Sequence, residues 1–157
     1  MQAVSYYREY YEEKGMFENE VYPGIKQLLR DLIKQGALCL VATSKPEIYA
    51  KKILDYYELS NYFYYIAGAN MDGTRTDKAE VIAYALKQIP AEYSNKKVLM
   101  VGDRSHDIIG AKKNGIDCAG VLFGYGSREE LEEAGADFIA DSVEAVRNIV
   151  FLNAAKN

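Results

Sequence analysis

Two aspartates stand four residues apart where an apolar run ends. Lys97-Val98-Leu99-Met100-Val101 leads into Gly102 and Asp103, and Asp107 follows after Arg104, Ser105 and His106. If the run is a strand, Asp103 projects from the carboxyl edge of a sheet. With Ser105 as the N-cap, Asp107 falls in the first turn of the next helix and faces the same mouth. Two hard carboxylates there suit Mg²⁺, which commonly takes one or two carboxylates alongside waters and phosphate oxygens. The plainer account is helix chemistry, because a first-turn aspartate stabilises the helix dipole by itself.

Two other places repeat the pattern of a polar group at a strand end. Thr43 and Ser44 close the apolar run Ala37–Ala42 and open a helical stretch. A hydroxyl beside the free amides of a helix N-terminus makes an anion site, although ordinary capping accounts for Ser44. Lys78 sits at the start of a helical stretch, where a cation opposes the dipole. A negative ligand or carboxylate partner would explain it; a solvated surface charge is the plain alternative. Two other strings do not hold up. Ser105-His106-Asp107 contains the residue types of a hydrolytic triad, but consecutive helical side chains point apart. Gly124-Tyr125-Gly126 starts like a dinucleotide fingerprint, but Glu129 stands at the third glycine's place and would repel a pyrophosphate.

The elements that must position these groups alternate. The spacing predicts helices over 2–14, 25–36, 44–59, 77–89, 105–114, 127–135 and 142–152. Strands are predicted over 37–43, 64–69, 97–101, 118–123 and 137–140. Ser44 with Glu47, and Ser127 with Glu130, read as capping boxes. Strands separated by helices of this length indicate a parallel sheet with helices on both faces, a three-layer Rossmann-like α/β fold. Ligands of such sheets bind beyond the carboxyl ends of the strands.

The totals agree with one globular domain. At 157 residues, folding buries roughly 70% of the unfolded surface. Apolar residues make up 49% of the chain, charged residues 27%, and the net charge is −4. No basic stripe favours nucleic acid, no apolar run is long enough to cross a membrane, and no signal peptide opens the chain. Cys39 and Cys118 read as free buried thiols, which fits a cytoplasmic setting. A single histidine argues against a zinc centre built from several His and Cys ligands.

Together these stretches resemble the haloacid dehalogenase superfamily, in its phosphoglycolate-phosphatase-like branch. Val41-Ala42-Thr43-Ser44-Lys45-Pro46 is similar to the second motif, with Thr43 as the phosphate-binding hydroxyl. Gly73-Thr74-Arg75-Thr76-Asp77-Lys78 is similar to the third, with Lys78 as its cation. Val98 to Ile116 is similar to the fourth, with Asp103 and Asp107 as the acidic metal-site residues. Phosphoglycolate phosphatases usually carry Lys-Pro-x-Pro at the third motif. Lys78-Ala79-Glu80-Val81 departs from it and looks like nucleotidase-like hydrolases. The resemblance implies phosphate monoester hydrolysis on small metabolites through an aspartyl phosphate, with Mg²⁺. Thr43, Ser44 and Lys78 would bind the phosphoryl group. It also implies a cap remnant at 1–20 and a core at 21–157.

The family's nucleophile comes from Asp-x-Asp-Gly-Thr at the end of a first, central strand. No Asp-x-Asp occurs in these residues. The nearest match, Asn70-Met71-Asp72-Gly73-Thr74, has a neutral amide in the nucleophile's place, so Asp72 reads as a loop residue. The expectation is a shortened phosphatase, with the alternative a non-catalytic binding module that keeps a phosphate or metal site. The strands at 37–43 and 97–101 then pair directly, are bridged by another chain, or leave a gap. Self-association through the incomplete sheet is favoured.

Overall fold

A computed structural model describes residues 21–154 of the protein. The expected helix at 2–14 and the cap remnant at 1–20 lie outside the described residues. The remainder alternates as expected: α1 (Ile25–Lys34), β1 (Leu40–Pro46), α2 (Glu47–Tyr56), β2 (Tyr65–Ala69) and α3 (Lys78–Lys87). Then come β3 (Leu99–Gly102), α4 (Ser105–Lys113), β4 (Asp117–Val121), α5 (Arg128–Glu133), β5 (Phe138–Ala140) and α6 (Val143–Ala154).

Every strand pair is parallel, but the strands form two sheets: β1 with β2, and β3-β4-β5. Among the described residues no ladder joins β1 to β3, so the direct pairing weighed above does not form. Burial records the break. In β2 and β4 every residue after the first is buried, as parallel strands flanked by helices should be. No residue of β1 or β3 is buried, and Val101 is 40% exposed.

Helix α3 spans the interval, packing on β1 and β2 and also on α4. Asn114 fastens it there, its side-chain amide donating to the carbonyls of Ala79 and Gly110. On the second sheet, alternation sends neighbours to opposite faces. Val121 and Ala140 pack with Leu28 of α1 and Val146 of α6. Cys118 and Ile139 pack with Ile108 of α4 and Leu131 of α5. This gives the three layers expected from the sequence. Cys118 is buried and free as expected; Cys39 is free but only half-buried.

One polar tie at the edge of this core joins α4, the start of β4 and the residue before β5. Asp137 accepts from the Cys118 amide at 2.9 Å and pairs with Lys112 Nζ at 2.6 Å. The Lys112 hydrogen bond holds the Asp137 carboxyl below its ordinary value of 3.8. A depressed carboxylate contributes stability above the unfolded-state value and loses it as pH falls through the folded one. Urea melts of wild type and Asp137→Asn should therefore differ fully at neutral pH and converge as pH drops below 3.8. A constant difference down to low pH would contradict this assignment.

Candidate phosphoryl-binding site

Lys78 is the first residue of α3, after Asp77 at the N-cap. Its side chain is 10% exposed, and Nζ lies 2.8 Å from Asp107 Oδ1. The same ammonium donates to the Ala42 carbonyl at 3.2 Å, in the residue before Thr43. So one side chain links β1 to the start of α4, across the interval between the sheets. The cation expected to oppose a helix dipole has its carboxylate partner.

Asp107 is the one charged residue buried among those described, at 4% exposure. Its Oδ2 accepts from the amides of Asp103 at 3.1 Å and Arg104 at 3.2 Å. The N-cap of α4 is Arg104, one residue before the expected Ser105, because Asp107 at the third helical position reaches back to the Arg104 amide. Oδ1 is fully buried and has no hydrogen bond of proper alignment. Charge from Lys78, not a directed hydrogen bond, compensates it. Gly102 makes the packing possible: a Cβ there would fall 2.4 Å from Asp107 Cβ.

Asp103 is half-buried. Its Oδ2 accepts from the Tyr125 amide at 2.8 Å. Its Oδ1 takes no hydrogen bond or ion pair from any described residue. The expected acidic pair is thus divided: Asp107 is committed to Lys78 and two amides, whereas Asp103 presents an open oxygen. No group of three His, Cys, Asp or Glu that could hold a metal occurs among the described residues. What fits Mg²⁺ here is one open, hard carboxylate oxygen, with waters and phosphate completing the shell.

Thr43 is half-buried, and its hydroxyl accepts from the Lys45 amide at 3.2 Å. Ser44 is exposed. The expected Ser44–Glu47 capping box does not form. Strand β1 runs on to Pro46, which pairs with Ala69 after an irregularity past Ala42 and is itself the N-cap of α2. The Ser127 cap does form, accepting from the Glu130 amide. His106 is 57% exposed and 3.9 Å from Asp107 Oδ1, too far to hydrogen-bond. Asp72 accepts from the Thr74 amide and hydroxyl, which holds its carboxyl low and closes the 70–74 turn. It is a loop residue, as expected. A groove between α4 and α5 lies alongside, lined by Ser105, Ile109, Glu129, Glu130 and Glu133. Its carboxylates would repel a phosphate ester.

The sequence reading missed Gly124-Tyr125-Gly126 as part of this site. The two glycines around a tyrosine were the signal, weighed there only as a dinucleotide fingerprint.

A family model for haloacid dehalogenase-like hydrolases matches residues 2–121. The chain belongs to the haloacid dehalogenase-like hydrolases. It is 38% identical over 151 residues to a 5'-nucleotidase of Pseudomonas aeruginosa, covering 95% of this chain and 66% of that protein. It is 38% identical over 138 residues to the tyrosine-protein kinase PtkA of Mycobacterium tuberculosis, covering 88% and 47%. Among solved structures, a predicted phosphatase from Clostridium acetobutylicum superposes with a TM-score of 0.86 at 44% identity, covering 95% of this chain and 68% of that one. The chain therefore spans about half to two thirds of the curated relatives named here.

Proposed function

We propose that this chain is the larger part of a Mg²⁺-dependent phosphatase for small phosphorylated metabolites. In this reading its aspartate nucleophile comes from a strand outside the 157 residues. One observation carries the reading: Lys78 touches both Asp107 and the carbonyl next to Thr43. Residues from β1, from the segment after β2 and from the segment after β3 are thereby held together. An ammonium has three donors. Ala42 takes one and Asp107 is paired by charge, which leaves a donor for a phosphoryl oxygen. Thr43 supplies a hydroxyl beside it. Asp103 would hold Mg²⁺ through Oδ1, and the metal would neutralise charge on the transferring group. Asp107 would act by fixing Lys78 and the turn that carries Asp103.

The strand that brings the nucleophile would lie between β1 and β3. The half-exposed residues of both strands support this, because unpaired edges and uncovered apolar side chains are otherwise costly. Lys78 then sits beside the end of that strand.

The test is a phosphate-release assay with Mg²⁺ on a panel of small monoesters, nucleoside monophosphates included. The 157-residue chain should show no more than trace turnover. A form extended upstream by an apolar strand ending in Asp-x-Asp-Gly-Thr should turn over readily. Robust Mg²⁺-dependent turnover by the short chain would overturn the missing-nucleophile reading. Transfer from ATP to protein tyrosine by the extended form, without monoester hydrolysis, would overturn the phosphatase reading.

A further inference from the structure

We propose that Gly124-Tyr125-Gly126 is a backbone clamp that aims the Asp103 carboxylate, leaving Oδ1 as the oxygen available to a divalent cation. The proposal rests on reading Asp103 as a metal-holding group. Strands β3 and β4 run parallel in register, Gly102 opposite Gly120, so the segments that follow them emerge at the same edge. There two amides of one segment grip the other. Tyr125 N–H donates to Asp103 Oδ2 at 2.8 Å. Gly126 N–H donates to the Asp103 main-chain carbonyl at 2.9 Å.

The approach leaves no room for side chains at either flank. A Cβ on Gly124 would stand 2.3 Å from Asp103 Cβ and 2.5 Å from Oδ2. A Cβ on Gly126 would stand 2.1 Å from the Asp103 carbonyl oxygen and 2.5 Å from Glu130 Oε2. The residue between them is not chosen for packing, since Tyr125 is 84% exposed. What this position gives Asp103 is its amide. The clamp is also tied down behind. Ser127 caps α5, and Glu130 of that helix receives Arg104 Nε at 3.2 Å, next to Asp103 in the chain. A carboxylate held through one oxygen keeps a fixed orientation for the other. Losing such a partner typically lowers metal affinity about 10–100-fold.

The backbone role can be separated from the side chain on the full chain, with Mn²⁺ alone as the probe and its binding followed by electron paramagnetic resonance. Tyr125→Pro removes the donated N–H, and Gly124→Ala forces the segment away. Each should weaken Mn²⁺ binding tenfold or more. Tyr125→Ala keeps the amide and should stay within about twofold, because the side chain is 84% exposed. A loss in Tyr125→Ala equal to that in Tyr125→Pro, or none in Tyr125→Pro, overturns the clamp. Asp103→Ala tests the underlying reading. If Mn²⁺ affinity survives it, or wild type binds no Mn²⁺, Asp103 is not a metal-holding group and the clamp's purpose falls with it. Should the proline and alanine variants unfold, amide exchange decides on folded protein. The Tyr125 amide should be protected in wild type and lose that protection in Asp103→Ala, and equal exchange in the two overturns the proposal.

Discussion

Lys78→Met is expected to cost the chain about 3–5 kcal/mol of stability, far more than a typical surface lysine. The reason is the carboxylate it leaves behind. Asp107 is buried at 4% exposure, and its Oδ1 has no hydrogen bond to fall back on. Methionine matches the lysine stem in length, so packing on α4 is largely kept and the loss reports the charge. The substitution also frees the Ala42 carbonyl, one of the ties between β1 and α3. Replacing both partners, as Lys78→Met with Asp107→Asn, should cost less than Lys78→Met alone, because no charge is then stranded and the asparagine oxygen still accepts from the Asp103 and Arg104 amides. Urea unfolding of the four species closes the cycle. A cost below about 1 kcal/mol for Lys78→Met would mean that water reaches Asp107 and the pair is an ordinary surface one.

That pair marks how far the sequence could be read. Alternating apolar runs and capping residues were enough for the order of helices and strands, since burial of one helical stripe or a short apolar run is a local demand. The types and positions of Thr43, Lys78, Asp103 and Asp107 pointed to one rim, because parallel strands place their carboxyl ends together. The division of labour between the two aspartates was not legible. It depends on which amides reach which oxygen. Asp103 meets Tyr125 from a loop 22 residues away, and no spacing rule links them. The Ser44–Glu47 box failed for a similar reason: strand pairing of Pro46 with Ala69 outweighed a local cap. The missing motif left three outcomes open for β1 and β3, and the structure rules out only their direct pairing. The signature of the break in the structure is graded exposure along β1 and β3, which depends on neighbours that composition cannot name.

Asp103→Asn should do the opposite of Lys78→Met, leaving the fold nearly untouched and removing the chemistry. Asparagine is close in shape, and its carbonyl oxygen can still accept from the Tyr125 amide. Asp103 is half-buried and carries no ion pair among the described residues, so stability should change by less than about 1 kcal/mol. Phosphate release by the upstream-extended enzyme should nevertheless fall about a thousandfold. A neutral amide is a weak ligand for a hard divalent ion, and the several kcal/mol of charge stabilisation lost with that ion correspond to such a factor. His106→Ala belongs in the same assay. The imidazole is 57% exposed and 3.9 Å from Asp107, so turnover should stay near the wild-type rate. Two results would count against the site. Equal losses in Asp103→Asn and His106→Ala would shift the chemistry to the outer side of α4. A destabilised Asp103→Asn with normal turnover would make Asp103 a structural residue, and the open Oδ1 would have no catalytic meaning.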